Sequence, residues 1–167
     1  MESIGKSWEE GRLSLSQVYM SGRICEEIMG RLLPERGAGR GGGLKTGLAV
    51  LEDRHMLGKR MVAAALSASG HSFLDYGAMD GESLVKRAAE DGLDLLLIST
   101  FMLPSAIRVG KVRERLDSLG LPVKIVVGGA PFRLDPGLWR EVGAHAMGGS
   151  ASDAISIVKS FSGGERP

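Results

Sequence analysis

The sequence has 167 residues, 43% of them hydrophobic and 25% charged, which is the composition of a soluble globular domain with a sizeable core. A net charge of +1 and the lack of an apolar run of membrane-spanning length give no basis for binding nucleic acid or a membrane. The single cysteine, Cys25, excludes an internal disulfide framework and a cysteine-built metal site, and it suits the cytoplasm, where we expect the protein to work.

A helical segment comes first along the chain. Between residues 8 and 33 apolar side chains recur at spacings near three and four, and Ser14 or Ser16 is suited to cap the helix. Pro34 ends the pattern, and a run of glycine and arginine that cannot pack a core follows it. We therefore divide the chain into a short helical segment (1–35), a flexible linker (36–44), a sheet-forming domain (45–162) and a tail (163–167).

After the linker, short apolar runs alternate with longer amphipathic ones. The predicted strands are 46–51, 72–76, 95–99, 123–127 and a weak 144–147, and the predicted helices are 57–69, 81–91, 105–119, 136–142 and 151–161. Five strand–helix repeats predict an α/β fold, a flavodoxin-like doubly wound parallel sheet of five strands in the order 2-1-3-4-5. Because ligands of such sheets bind outside the carboxyl ends of the strands, the loops at those ends are the candidate site.

The loop after the first strand carries a carboxylate close to a histidine, in Asp53-Arg54-His55-Met56-Leu57-Gly58. Asp53 can accept the Nδ1–H of His55, which fixes the tautomer and leaves Nε2 for a proton or a metal. Gly58 would allow a close approach of backbone to a ligand. The same short motif also fits a solvated loop, and the residues alone leave both interpretations open.

Three further loops carry serines and glycines at the carboxyl ends of strands: Ser99-Thr100-Phe101-Met102-Leu103-Pro104-Ser105, Gly128-Gly129-Ala130-Pro131 and Gly148-Gly149-Ser150-Ala151. Ser105 suits a helix cap, but both serines of the first loop could instead face a ligand. The paired glycines of the second loop indicate either a tight turn or room for a flat ligand. The third loop opens the last helix, where it could bind a phosphate or only cap the helix.

Together these loops resemble the cobalamin-binding domain of methionine synthase and of the corrinoid proteins of methyltransferase systems. The pattern of that family is Asp-x-His-x-x-Gly, about forty residues, Ser-x-Leu, then fewer than thirty residues and Gly-Gly. Here about forty positions separate Gly58 from Ser99, and just under thirty separate Ser99 from Gly128. The resemblance covers residues 44–161, and residues 8–18 are similar to the last helices of the helical module that precedes this domain in the corrinoid proteins.

The resemblance implies a cobalamin or related corrinoid, such as methylcobalamin or hydroxocobalamin, bound with its lower base displaced from cobalt. His55 would supply the replacement nitrogen, Asp53 would orient it, and Ser105 would extend the hydrogen bonds into a relay that follows the changing demand of cobalt for an axial donor. The resemblance places further cofactor contacts in the same loops, at Arg54, Met56, Leu57, Gly58, Ser99, Phe101, Leu103, Gly128, Gly129, Ala130, Gly148, Gly149 and Ser150.

The chain departs from the family pattern at several positions. Phe101 replaces the leucine of Ser-x-Leu, Met56 and Leu57 stand where the family often has Asp-Ile, and Leu103 replaces a threonine of methionine synthase. The helical segment is too short for the four-helix module that covers the upper corrin face in relatives, so it reads as a remnant of that module. The upper face would then be open, covered by a partner, or covered through a homodimer formed by these helices.

The leading hypothesis is a corrinoid protein that carries a methyl group between partner methyltransferase subunits, which would hold the substrate-specific chemistry. A second reading is the small subunit of an adenosylcobalamin mutase, although the helical leader argues against it. A third is a cobalamin-binding sensor or accessory module without methyl transfer. The fourth is a flavodoxin-like domain that binds no corrinoid.

Overall fold

The computed structural model describes residues 7, 10–32 and 43–163 of the chain. Most of the predicted linker (36–44) and tail (163–167) lies outside the described residues. The chain divides into two compact units, Met1–Glu35 and Arg36–Pro167, and each is described by itself.

The first unit contains helix α1 (Leu15–Leu32). Ser14 caps it, because its Oγ accepts from the backbone N–H of Gln17 at 3.3 Å while Gln17 Oε1 accepts from the N–H of Ser14 at 2.8 Å. The prediction of one helix from residue 8 is wrong for residues 10–14, which form a turn in which Gly11 takes a φ of 71°. Of the two caps considered, the structure uses Ser14.

The second unit is a parallel sheet of five strands in the order β2-β1-β3-β4-β5, which confirms the predicted fold. The strands are β1 (Thr46–Leu51), β2 (Leu74–Met79), β3 (Leu95–Thr100), β4 (Lys124–Gly129) and β5 (Ala146–Gly148). The helices between and after them are α2 (Leu57–Ala68), α3 (Gly81–Asp91), α4 (Leu103–Ser118), α5 (Ala130–Leu134), α6 (Leu138–Glu141) and α7 (Ala151–Ser162).

Both faces of the sheet are buried, as the apolar strands predict. On one face Leu96 and Ile98 of β3 pack in a core cluster with residues of α3 and α4, and on the other Leu95 and Leu97 pack with residues of α2 and α7. Helices on both faces leave the loops at the two ends of the strands accessible, and the loops at the carboxyl ends are where ligands of such sheets bind. None of the helices described is long and apolar enough to cross a bilayer.

Several element boundaries differ from prediction, each for a local reason. Strand β2 runs to Met79 because the register with β1 shifts where Gly77 takes a φ of 68°. Helix α4 begins at Leu103, with Pro104 in its first turn, so Ser105 lies inside the helix and does not cap it. Helix α5 follows β4 directly, at Gly128-Gly129-Ala130-Pro131, where the sequence indicates either a tight turn or room for a flat ligand and predicts no helix.

Candidate functional site

The loop after β1 fixes a histidine against a carboxylate. His55 Nδ1 lies 2.5 Å from Asp53 Oδ1. The side chain of His55 is 54% exposed, whereas that of Asp53 is only 3% exposed. Because Nδ1 is engaged by the carboxylate, Nε2 is the ring nitrogen left for an external partner.

The Asp53 carboxylate is held from two loops at once. Oδ1 also accepts from the backbone N–H groups of Arg54 at 2.6 Å and His55 at 3.1 Å, and Oδ2 accepts from those of Phe101 at 2.9 Å and Met102 at 3.1 Å. Burial by itself would raise the pKa of Asp53, but the hydrogen bonds from His55, Phe101 and Arg54 outweigh it and lower the pKa below its ordinary value. Asp53 therefore stays ionised and ties the β1 loop to the β3 loop.

Ser105 joins this loop at a different atom from the one expected. Its Oγ donates to the backbone carbonyl of Glu52 at 3.0 Å, one residue before Asp53, and its side chain is buried. The expected relay runs from His55 through Asp53 to Ser105, but both oxygens of Asp53 are taken by N–H groups. Ser105 thus acts on the backbone that carries Asp53, and not on the carboxylate.

Three consecutive apolar residues that follow β3, Phe101, Met102 and Leu103, form an apolar platform on one side of the exposed histidine. The ring of Phe101 lies 4.2 Å from the ring of His55 between centroids, with the planes tilted by 30°. Phe101, Met102 and Leu103 are each about half exposed, although they are large and apolar. Exposed apolar side chains clustered beside a polar group are typical of a ligand-binding surface.

A row of small residues crosses the same edge of the sheet. Ser99 of β3 is in register with Gly128 of β4, which is in register with Gly148 of β5. A Cβ at Gly58 of α2 would lie 3.2 Å from Ser99 Oγ, and one at Gly128 would lie 3.0 Å from the carbonyl of Gly148. The first two parts of the sequence pattern are thus in contact, and the row carries almost no side-chain bulk.

Gly129 has a structural role beside this row. Its φ is 125°, and a Cβ there would lie 1.7 Å from the carbonyl oxygen of Thr100. Only glycine can therefore occupy the last position of β4 while β3 and β4 keep their register. The second glycine of the pair is required by the fold itself.

The loop before α7 is a helix cap. Ser150 Oγ accepts from the N–H of Asp153 at 3.3 Å, and Asp153 Oδ2 accepts from the N–H groups of Gly149 at 3.0 Å and Ser150 at 2.9 Å. The chain's own carboxylate thus accepts from the backbone amides that a bound phosphate would need. Of the two interpretations of this loop, the structure has the cap.

The remaining predicted contacts lie around the histidine loop and at the end of β4. Arg54 is exposed, Met56 and Leu57 are half-buried where α2 begins, and Ala130 is half-buried at the start of α5. Two residues that sequence reasoning missed also touch the loop: Glu52, which Ser105 contacts, and Arg108 of α4, which forms an ion pair with Glu52. Nothing in the sequence marks Glu52, whereas Arg108 follows Ser105 by one helical turn.

Known proteins resemble this chain in sequence and in structure. Residues 45–159 match the B12 binding domain family. The chain is 31% identical to monomethylamine corrinoid protein 1 of Methanosarcina barkeri, over 95% of this chain and 76% of that protein. A solved structure of the Methanosarcina barkeri monomethylamine corrinoid protein matches with a TM-score of 0.76 and 28% identity, over 93% of this chain and 76% of that one.

A third similarity concerns the fold alone. A chain in the methanol:cobalamin methyltransferase complex of Methanosarcina barkeri matches with a TM-score of 0.66 and 22% identity. The match covers 98% of this chain and 64% of that one. The fold similarity therefore extends over nearly all of the present chain.

Proposed function

We propose that this chain, which belongs to the B12 binding domain family and whose cofactor is a corrinoid, binds the corrinoid with Nε2 of His55 as the lower axial ligand of cobalt. The observation that carries the proposal is the pair of His55 and Asp53, in which Nδ1 is engaged at 2.5 Å and the ring is half exposed. A carboxylate that fixes the tautomer is the usual support of a metal-ligating histidine.

The surroundings of His55 fit a flat macrocycle that brings most of its own metal ligands. Phe101, Met102 and Leu103 offer apolar contact beside the imidazole. Among the described residues, no three His, Cys, Asp or Glu side chains gather to hold a metal ion. One imidazole next to an apolar platform suits an axial ligand better than a metal site built from protein side chains.

We assign the nucleotide tail of the corrinoid to the row formed by Ser99, Gly128 and Gly148. The three residues are in register across β3, β4 and β5, and Gly58 of α2 approaches Ser99 from the adjacent helix. Small residues on three adjacent strands provide a path where a side chain would obstruct the tail. The N-terminus of α7 is not part of this assignment, because Asp153 and Ser150 already cap it.

The proposed role is that of a carrier of methyl groups between partner methyltransferase subunits. The corrinoid supplies a cobalt centre that can accept and release a methyl group. The residues of the chain would supply the rest: Asp53 would keep the proton of the imidazole on Nδ1, and Phe101 and Leu103 would exclude water from the bound cofactor beside the imidazole. The similarity to a monomethylamine corrinoid protein supports a role in this class of methyl transfer.

A second copy of the chain is the proposed partner of α1. Met20, Ile24 and Ile28 follow one another at intervals of four residues, and each is about half exposed. Light scattering of the wild type and of Ile24→Glu measures the mass, and a monomeric wild type would refute the dimer.

The binding mode is tested by reconstitution. The protein is mixed with hydroxocobalamin and desalted, and the visible and EPR spectra of the wild type and of His55→Ala are compared. We expect retention of the corrinoid and an axial nitrogen signal that the substitution removes. Loss of the corrinoid from the wild type would refute the binding itself, and an unchanged nitrogen signal in His55→Ala would refute the ligand.

A further inference from the structure

Glu52 has a backbone conformation that its side chain disfavours. Its φ is 46°, and among the described residues it is the one non-glycine residue with a positive φ. An L side chain in the left-handed region is strained and persists only where its surroundings enforce it. Glu52 joins the end of β1 to Asp53, so its conformation sets the direction in which the histidine loop leaves the sheet.

Three contacts hold Glu52 in this conformation. Its N–H donates to the carbonyl of Met79 at 2.9 Å, and its own carbonyl accepts from Ser105 Oγ at 3.0 Å. Its carboxylate pairs with the guanidinium of Arg108. The backbone and the side chain of the strained residue are thus held separately.

Two of these contacts come from one face of α4. Ser105 and Arg108 are three residues apart, so their side chains lie on neighbouring turns of the helix. Ser105 is only 3% exposed, and Arg108 reaches Glu52 over a groove of about 280 Å³ between α3 and α4. Helix α4 therefore acts on both the carbonyl and the carboxylate of Glu52.

We propose that Arg108 and Ser105 are positioning residues that keep Glu52 left-handed and thereby aim the loop of Asp53 and His55 at the corrinoid. The inference rests on the proposed role of His55 as the axial ligand. If Glu52 moved to an extended or right-handed conformation, the chain would leave β1 in another direction. The Asp53 carboxylate would then lose the N–H groups of Phe101 and Met102, and the imidazole would lose its fixed orientation.

Arg108 can be removed without disturbing the core. Its side chain is 50% exposed, and the Glu52 side chain is 26% exposed. Exposed ion pairs usually contribute little to the stability of a fold. An effect of Arg108 on the presentation of His55 can therefore be measured in a folded protein. Arg115, which is on the same helix and pairs at 3.9 Å with Glu82, provides a matched control.

The test uses the protein loaded with hydroxocobalamin and reduced to the cobalt(II) state. EPR then gives the ratio of protein with an axial imidazole to protein without one. We expect Arg108→Met to lower this ratio about two- to fivefold, the range that an exposed ion pair can supply, while Arg115→Met leaves it at the wild-type value. The double variant Glu52→Gly/Arg108→Met should recover the ratio, because glycine takes a positive φ without support. An unchanged ratio in Arg108→Met, or no recovery in the double variant, would overturn the inference.

A second measurement separates this inference from the proposed ligand. In the cofactor-free protein, Glu52→Gly should unfold at a higher urea concentration than Glu52→Ala, since both lack the carboxylate and only alanine is strained. Equal midpoints would overturn the left-handed restraint whatever the cofactor does. Conversely, an EPR signal that is the same in the wild type and in His55→Ala would overturn the proposed ligand. The order of the urea midpoints of Glu52→Gly and Glu52→Ala would still test whether Glu52 is held in a left-handed conformation.

Discussion

Asp53 Oδ1 lies 2.5 Å from His55 Nδ1, while Oδ2 of the same carboxylate accepts from the N–H groups of Phe101 and Met102. One carboxylate thus connects the histidine to the loop that carries its aromatic neighbour. The position of the imidazole depends on β1 and β3 together, and these strands are hydrogen-bonded along their length. A rigid sheet therefore supports the proposed cobalt ligand.

Asp53→Asn removes the negative charge of this side chain and keeps its size and shape. The amide has one acceptor oxygen where the carboxylate has two, and its NH2 group cannot accept from an N–H, so either the imidazole or the N–H groups of Phe101 and Met102 lose their acceptor. We therefore expect the affinity for hydroxocobalamin to fall roughly ten- to a hundredfold. The free energy of unfolding of the cofactor-free protein should fall by about 1.5–3 kcal/mol. Absorbance titration and urea unfolding measure the two effects. Asp135→Asn, at a carboxylate that accepts from the N–H of Gly137, is the control and should leave the affinity unchanged.

Gly58→Ala separates cofactor binding from folding. The new methyl group would lie 3.2 Å from Ser99 Oγ, a hydroxyl that can turn aside, and alanine favours the helix by about 0.5–1 kcal/mol. We expect unfolding at the wild-type urea concentration or above it, with corrinoid affinity at least about tenfold weaker because the path beside Ser99 is narrowed. An affinity equal to that of the wild type would remove Gly58 from the proposed tail site.

Gly129→Ala should have the opposite outcome. A Cβ at this position would lie 1.7 Å from the Thr100 carbonyl oxygen, and the φ of 125° is disfavoured for alanine. Because the new methyl group would meet a backbone oxygen of the adjacent strand, which cannot turn aside, we expect a loss of several kcal/mol of stability in the cofactor-free protein. Circular dichroism during urea unfolding measures it. Wild-type stability would mean that β3 and β4 do not approach as closely as described.

His145, which lies outside the histidine loop, should make the free energy of unfolding depend on pH. Burial, together with the positive charges of Lys124 and Arg113, lowers the pKa of His145 below its ordinary value of 6.5, and its Nδ1 accepts from the N–H of Ile125 at 3.0 Å. The unfolded chain binds the proton more readily, so stability is highest above pH 6.5 and decreases as the pH falls toward the lowered pKa.

The variant His145→Asn keeps an acceptor near the N–H of Ile125 and does not titrate. Below pH 6.5 the wild type should lose more stability than this variant, and above pH 6.5 their difference should be constant. Urea midpoints measured at several pH values on the cofactor-free proteins test this. Parallel curves for the two proteins across that range would contradict the assignment.

The ion pair of Lys59 and Asp75 predicts a loss of stability when one of the two charges is removed. The Lys59 side chain is 5% exposed, and Nζ lies 2.5 Å from Asp75 Oδ2. Asp75→Asn leaves the buried Lys59 ammonium without its counter-charge, which should lower the free energy of unfolding by about 3 kcal/mol. Lys59→Met/Asp75→Asn should recover part of this loss, because no unpaired charge is then buried and the neutral amide still accepts from the N–H of Gly77. A double variant no more stable than Asp75→Asn would contradict the explanation.

The sequence predicted the parts of the molecule that depend on simple periodicity. The apolar runs gave the buried strands, and the strand order followed from the handedness of parallel crossovers. Helix α5 was missed because two glycines before Ala130 and Pro131 indicate a turn equally well. Gly129 is required because β4 is in register with β3 and approaches the carbonyl of Thr100 closely. A local sequence pattern contains neither the register nor this approach.

The sequence predicted which residues come together at the carboxyl ends of the strands better than it predicted the hydrogen bonds between them. Asp53 and His55 are paired as their spacing indicates. Ser105, however, bonds to the carbonyl of Glu52, because α4 begins two residues before it and turns its hydroxyl toward the backbone. The left-handed Glu52 was not foreseen, since a glutamate at a positive φ depends on tertiary contacts with Met79, Ser105 and Arg108.

Isotope labelling of the histidines tests the claim that His55 ligates cobalt. The protein is prepared with ¹⁵N-histidine, loaded with hydroxocobalamin containing ¹⁴N, and reduced to the cobalt(II) state for EPR. The axial nitrogen splitting should change from the triplet of ¹⁴N to the doublet of ¹⁵N, and His55→Ala should abolish the doublet. A triplet in the labelled wild type would mean that the base of the cofactor itself remains on cobalt, and would contradict the claim.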